Sequence, residues 1–411
     1  MSDDKQSPPS PPGCLSRLIR YFVLFLVLGA VVVLIDAFRV TLPIGIPGTP
    51  APGEQIGAIH IHTNVSHDGG GDIDDVVAAA KWADLAFVVI TDHNQATDPE
   101  IANKDRNSVL VVGGEEVSTP DGHFLAIGAA PGWRKGVPKE TRALLEAAGK
   151  AGAARFIAHP TGARKDWTDW GTDAYEGIEI WNGDAEWRDN NPGELLMAAL
   201  THTVNPDLAL VRLANRPDEN LRIWDEQLEK RQVSSLCGTD AHAHVPIAFG
   251  YAVNFPAYLR VFRMARQHVL LPTGKPGERG PRDAAAIVRA LKDGRSFCAL
   301  DGLSVASGFV SRIEGEGVTA GPGQSIVWTP GASLRVTIPP ASGRPFIKVY
   351  KDGVETFSSR EWRLDADVPG PGRYRVEVWL RQPGLTGGQR WTPWILSNPI
   401  DVTASGSAAG P

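Results

Sequence analysis

The polarity pattern divides the chain into three regimes. Residues 21–35 form an uncharged apolar run preceded by Arg17 and Arg20. From about residue 54 to residue 300, short apolar runs alternate with stretches of helical periodicity. Beyond residue 300 the helical periodicity stops, and short runs of alternating polarity are separated by turn signals. In the middle regime the runs at 55–62, 85–91, 109–112, 124–127, 155–158, 177–181 and 233–237 predict strands. Residues 72–83, 139–151, 217–231 and 282–292 predict helices, the first capped by Asp72. The run 85–91 is apolar throughout, as in a strand covered on both faces. Repeated strand–helix alternation predicts an α/β barrel or a doubly wound sheet, and in either the functional residues gather at the C-terminal strand ends. The last regime has runs at 333–338, 346–350 and 374–380, with turns at Asp352-Gly353, 369–372 and Gly387-Gly388. It predicts a β-sandwich of roughly 100 residues.

Leu18, Ile19, Ala37 and Phe38 extend the N-terminal apolar run, and Arg20 can snorkel, so the stretch reaches the length of a membrane span. No small-residue cleavage site follows it, which predicts an uncleaved signal anchor; secretion after signal cleavage is the alternative. The arginines ahead of the run orient the N-terminus to the cytoplasm and everything after the run outward. Residues 40–53 carry four prolines and three glycines and predict a stalk. The expected organisation is a disordered leader at 1–17, a transmembrane anchor at 18–38, a stalk at 39–54, a catalytic α/β region at 55–300, a β-sandwich at 301–404 and a flexible tail at 405–411.

A net charge of −6 leaves no basic footprint and disfavours nucleic acid as the main partner. Cys14, Cys237 and Cys298 lie far apart and form no CxxC pair, so neither a zinc ribbon nor a disulfide framework is indicated. A metal site in this chain must be built from His, Asp and Glu.

Those residues recur at the ends of the expected strands. His60 and His62 are two apart on a strand, which points both imidazoles to one face, and Asp68 follows within reach. Thr91-Asp92-His93-Asn94 closes the next strand and Gly114-Glu115-Glu116-Val117 the one after. His123 enters a strand, His159 stands just past one, and Asp240 and His242 follow another. A single His-x-His pair is most often structural or solvent-facing. Nine of the ten histidines, however, fall between His60 and His244, which is not how core histidines scatter. Imidazoles with a few carboxylates suit Zn, Mn or Fe, and a bridging carboxylate allows more than one ion. His67 and His244 adjoin these positions and read either as solvated loop histidines or as proton shuttles. Trp181 and Asn182 line a pocket or pack in the core; Arg164, Lys165 and Arg295 hold an anionic substrate or are simply solvated; His202 and His268 read as surface or core.

The series resembles the PHP (polymerase and histidinol phosphatase) superfamily of metal-dependent phosphoesterases. The matching pieces are His60-Ile61-His62-Thr63, Ser66-His67-Asp68-Gly69, Thr91-Asp92-His93, Gly114-Glu115-Glu116-Val117, His159-Pro160 and Thr239-Asp240-Ala241-His242. The resemblance implies a distorted (β/α)7 barrel with two or three divalent ions. It implies one ion on His60, His62, Glu116 and Asp240, a second sharing Glu116 and adding His123 and His159, and a third on Asp68, His93 and His242. The family's Gly-x-Glu spacing selects Glu116 over Glu115. Residues 294–297, 372–379 and 393–400 are similar to the all-β tail of the carbaryl-hydrolase-like (CehA/McbA) branch. That branch includes carbamate-ester hydrolysis.

The expectation is therefore an α/β protein with a (β/α)7 barrel, an Ig-like sandwich and an N-terminal membrane helix. It would act outside the cytoplasm on a small-molecule ester, with metal-bound hydroxide cleaving phosphate esters. Carboxylic or carbamate ester hydrolysis is the alternative, as is a non-catalytic, metal-holding surface module. No G-x-S-x-G elbow occurs in the chain, so no covalent serine intermediate is expected.

Overall fold

The computed structural model describes residues 14–39, 49–162, 165–246, 252–253, 256–272, 283–383 and 389–404. The leader up to residue 13, stalk residues 40–48, Arg164, the Gly387-Gly388 turn and the tail from 405 lie outside the described residues.

The expected (β/α)7 barrel is not what the chain builds. Its strands lie in separate mixed and antiparallel sheets. The largest runs in the order Ser325–Val327, Ile400–Thr403, Gly372–Pro383, Gln389–Ser397, Ser296–Ala299, Arg266–Leu270, Glu54–Ile61, Phe87–Ile90, Val109–Gly113 and Lys104–Arg106. A second sheet of five strands runs Glu116–Thr119, Gly122–Ile127, Ala154–Ile157, Gly177–Asn182 and Ser234–Gly238. Two local features prevent a uniform parallel ring. First, Glu116–Thr119 and Gly122–Ile127 pair antiparallel across a tight turn, too short for a parallel crossover of about a dozen residues. In that turn the Thr119 hydroxyl donates to the Gly122 carbonyl at 2.8 Å, and Gly122 has φ 124°. Second, Arg266–Leu270 enters antiparallel to Glu54–Ile61 and passes the sheet on to Ser296–Ala299.

The C-terminal part is all-β as expected, but it is not a free-standing Ig-like sandwich. A four-stranded antiparallel sheet (Val318–Ala320, Val310–Gly315, Ser333–Thr337, Arg363–Asp367) shares its core with strands of the large sheet. Gln389–Ser397 pairs directly with Ser296–Ala299, so one ladder crosses residue 300. Polar side chains cross it too. The Asn398 amide accepts from Ser235 N–H at 2.7 Å and donates to the carbonyls of Ser235 and Ser296. Buried Arg375 binds Asp225 and Glu377, and Glu377 also accepts from Arg216.

Cys237 and Cys298, read from the sequence as unpaired, form a disulfide with Cα atoms 5.5 Å apart. It joins the five-stranded sheet to the large one. Their separation of 61 residues concealed the pairing.

The helix Ile73–Trp82 forms where the periodicity placed it. Asp72 accepts from the amides of Asp74 and Asp75, and Asp75 completes a capping box. Thr141–Lys150, Asp218–Lys230 and Ala284–Lys292 also match expected helices. The N-terminal helix Cys14–Arg39 contains a stretch, Leu15–Ile35, long and apolar enough to cross a membrane and unburied by the rest of the chain. A helix of this kind serves as a membrane anchor or as a signal sequence.

Candidate metal centre

The two sheets meet at isolated parallel bridges between Ile61 and Ala241 and between His93 and Glu116. Main-chain bonds reinforce the seam: Thr239 N–H donates to the Ile59 carbonyl at 2.7 Å and His62 N–H to the Ala241 carbonyl at 3.0 Å. All nine residues expected as metal ligands, His60, His62, Asp68, His93, Glu116, His123, His159, Asp240 and His242, gather around this seam in four overlapping donor groups.

The alternation argument for His60 and His62 gives the right neighbours for an incomplete reason. The pairing of Glu54–Ile61 with Phe87–Ile90 shifts register between Ala58 and Ile61. His60 there has φ 64°. His159 (φ 26°) and Asp240 (φ 47°) also adopt left-handed backbone. Such conformations cost on the order of 1–3 kcal/mol each and persist where surrounding bonds hold them. The two rings end 5.2 Å apart, centroid to centroid.

The loop after His62 is folded back by Asp92, whose carboxylate accepts from Thr63 N–H (2.7 Å), the Thr63 hydroxyl (2.8 Å) and Ser66 N–H (3.3 Å). The Ser66 hydroxyl in turn accepts from His93 N–H at 2.8 Å. Gly69 is required here: a Cβ would lie 2.0 Å from the Thr63 carbonyl oxygen. The turn delivers the Asp68 carboxylate to His93 Nε2 (3.1 Å) and His242 Nε2 (3.3 Å).

Glu116 lies at the centre and is 1% exposed. Its Oε2 is 3.2 Å from Nε2 of both His60 and His62 and 3.1 Å from His93 Nδ1. Its Oε1 is 2.7 Å from His123 Nδ1 and 3.0 Å from His159 Nε2. Glu115 turns away and is occupied by Arg134 and the indole of Trp133. Asp240 Oδ1 is 3.3 Å from His60 Nε2 and 3.2 Å from His62 Nε2.

Two observations test whether these residues fit a metal. His60 Nε2, His62 Nε2 and Glu116 Oε2 are buried and have no hydrogen-bond partner among the described residues. Unpaired buried polar atoms of this kind are costly, and here three converge on one point. The donor spacings fit as well. Bonds of about 2.0 Å to a tetrahedral zinc imply donor–donor edges of about 3.3 Å. Four of the six edges among His60, His62, Glu116 and Asp240, those from each imidazole to each carboxylate, are 3.2–3.3 Å. The site therefore fits a divalent ion.

The electrostatics agree. Burial opposes charging His60, but the carboxylates of Asp240, Glu179 and Glu116 outweigh it and raise the imidazole well above its ordinary range. Burial is likewise overcome at His62, raised to about 9 by Asp240 and Glu116, and at His159, raised to about 9 chiefly by Glu116. His242 is raised against burial by Asp240 and Asp68. Burial pushes Glu116 and Asp240 upward, yet the surrounding imidazoles hold both well below the carboxylate range, and His242 and His93 do the same for Asp68. A buried group this rich in carboxylates needs positive charge, from protons or from metal ions.

Of the two residues expected as catalytic, His67 is 78% exposed at the rim, its ring 5.2 Å from that of His93. His244 is half-buried beside Gly70. Among the described residues, neither belongs to a donor group. Trp181 is buried in the core, and Lys165 donates to the Thr119 carbonyl. The sequence reading passed over Glu179 and Tyr258 and left Asn182 as either a pocket-lining or a core residue. Asn182 donates to Glu179 (2.9 Å) and Asp240 (3.2 Å), and the Tyr258 hydroxyl donates to the His62 carbonyl at 2.7 Å. Glu179 carried an available signal: an acid within an otherwise apolar strand, 177–181.

No protein-family model matches the chain, and no curated protein matches it.

Proposed function

We propose that the protein is a metal-dependent hydrolase of small-molecule esters, with phosphate esters the first expectation. The observation that carries this reading is the convergence of His60 Nε2, His62 Nε2 and Glu116 Oε2, buried and without a hydrogen-bond partner among the described residues, at donor spacings that suit one ion. His60, His62, Glu116 and Asp240 would hold that ion. Glu116 Oε1 with His123 and His159, and Asp68 with His93 and His242, would serve one or two more of Zn, Mn or Fe. The order of these residues along the chain is also that of the PHP pattern, although the barrel of that family is absent.

Divalent ions bound here would supply Lewis acidity and bring the pKa of water to about 7. The protein's own contribution is placement. Asp92 and Ser66 fix the loop that carries Asp68, and the carboxylate of Glu116 spans the donor groups. His67, exposed at the rim, is positioned to carry a proton to solvent. The apolar helix supports an extracytoplasmic, membrane-anchored protein, and so does the Cys237–Cys298 disulfide, because such bonds persist in oxidising compartments.

The test is metal analysis of the purified protein combined with a panel of phosphate, carboxylate and carbamate esters. At least two ions per chain and metal-dependent turnover of one ester class are expected. Fewer than one ion after reconstitution with Zn and Mn would overturn the metal centre. Metal without turnover of any class would favour the binding-module alternative. Turnover of carbamates or carboxylic esters but not phosphates would move the substrate class. For topology, a reporter fused after Pro411 that is active only outside the cytoplasm should score positive and resist a carbonate wash. A soluble product starting near residue 50 would indicate cleavage instead.

A further inference from the structure

Glu179 is fully buried on the strand Gly177–Asn182 and belongs to none of the donor groups. Its Oε1 accepts from His60 Nδ1 at 2.7 Å. Its Oε2 accepts from the backbone N–H of His159 at 2.6 Å and from the Asn182 amide at 2.9 Å. The same Asn182 nitrogen reaches Asp240 Oδ2 at 3.2 Å. One carboxylate thus holds the ring of His60, the backbone of His159 and, through Asn182, the side chain of Asp240.

A second observation is independent of these bonds. A Cβ on Gly238 would lie 1.5 Å from Glu179 Oε1, 2.6 Å from its Cδ and 3.0 Å from the Cβ of His60. The neighbouring strand Ser234–Gly238 therefore leaves out a side chain where Glu179 reaches His60. Gly238 is not among the residues with positive φ, so a turn does not account for the glycine.

We infer that Glu179 is the positioning residue of the metal centre. A carboxylate can only accept, so Glu179 fixes the proton of His60 on Nδ1 and turns Nε2 toward Glu116 and Asp240. Through the His159 amide it sets the left-handed backbone at which that ligand leaves its strand. Through Asn182 it holds Asp240, which completes the edges around His60 and His62. Gly238 is the space that makes this reach possible.

The inference rests on the metal-centre reading, and its test separates the two. Apoprotein of the full chain in detergent is titrated with Co(II) and followed by its electronic spectrum, for the wild type, Glu179→Gln and Gly238→Ala. Outer carboxylates of this type typically account for about 10- to 100-fold in metal affinity. Glu179→Gln should weaken Co(II) binding by that factor and alter the ligand-field bands while the apoprotein still folds by circular dichroism. Gly238→Ala should reproduce the spectral change by pushing Glu179 aside. The stability lost in Gly238→Ala should largely return in the Glu179→Ala/Gly238→Ala double variant, because the colliding oxygen is gone. Wild type that takes up no Co(II) overturns the metal reading and this inference with it. Wild type that loads normally while Glu179→Gln matches it in affinity and spectrum overturns this inference alone. A Gly238→Ala penalty unchanged by Glu179→Ala would do the same, since the glycine would then serve something else.

Discussion

His60 and His268 are both fully buried imidazoles with a carboxylate against each ring nitrogen. His60 has Glu179 at 2.7 Å on Nδ1, with Glu116 and Asp240 at 3.2 and 3.3 Å on Nε2. His268 has Glu54 at 2.7 Å on Nδ1 and Asp301 at 3.2 Å on Nε2. Both are raised above the ordinary histidine range against burial, His268 to about 9. Charge alone therefore does not separate a proposed ligand from a structural histidine. Satisfaction does. Each nitrogen of His268 has a hydrogen-bond partner, and Asp301 is further held by Arg266 and by Ala306 N–H. At His60 the Nε2 is left over, together with His62 Nε2 and Glu116 Oε2. The first arrangement is closed on itself; the second is open toward a common point.

The comparison breaks most readily at its centres. The largest effect is expected from Glu116→Gln, since its loss uncouples two donor groups at once. Metal content, measured by elemental analysis, should fall well beyond the about 100-fold affinity loss typical of an outer partner, and ester hydrolysis should fall with it. Apoprotein stability should fall as well below pH 6.5, where His62 and His159 lose the carboxylate that raises them, so metal content is the distinguishing measurement. His268→Ala should give the converse: about 3–5 kcal/mol of destabilisation in urea unfolding, because buried Glu54 loses its ion-pair partner and Asp301 keeps only Arg266, with metal stoichiometry retained. A variant that loses metal before stability would erase the distinction.

The pH response sharpens it. His62, His159 and His268 have folded values of about 9 against an ordinary 6.5. A raised value means that their stabilisation is fully present below pH 6.5 and is lost as pH rises through 9. The metal-free protein should therefore weaken between pH 6.5 and 9. On the proposed ligand set, metal ions would take the place of protons at His62 and His159 but not at His268, so the loaded protein should show only part of that decline. Unfolding curves at pH 6.5 and 9.5, with and without metal, measure both. An identical decline in the two forms would mean that those histidines are not ligands. The smallest effect is expected from Glu115→Gln, which alters the pair with Arg134 and should leave metal content unchanged; a metal loss exceeding that of Glu116→Gln would reverse their assignment.

Much of the donor cluster was legible because strand ends announce themselves: His60, His93, Glu116, His159 and Asp240 each lie at or just past an apolar run. The sheets were not, because direction is set by connections rather than by strands. The turn from Thr119 to Gly122 and the reversed strand Arg266–Leu270 both read as neutral in a periodicity argument. Four helices were missed, Gly183–Arg188, Pro192–His202, Pro206–Leu213 and Tyr258–Met264. Two of these carried readable starts. Asn191-Pro192 with Glu194 forms a capping box, and Asn205-Pro206 presents a cap followed by proline in the first turn. Glu179 escaped notice because its strand was read for its apolar neighbours.

The ladder between Ser296–Ala299 and Gln389–Ser397 has a consequence for how the chain can be shortened. A chain ending at Leu300 would keep every proposed ligand yet present Ser296–Ala299 as an open strand edge, with buried Phe297 losing its cover. Such edges recruit other chains. Truncation is therefore expected to send the protein to the insoluble fraction rather than to release a minimal enzyme, and a soluble, metal-binding fragment ending at that point would show the opposite. The C-terminal strands act as a built-in guard against self-association, and the two parts of the chain would have to be inherited together.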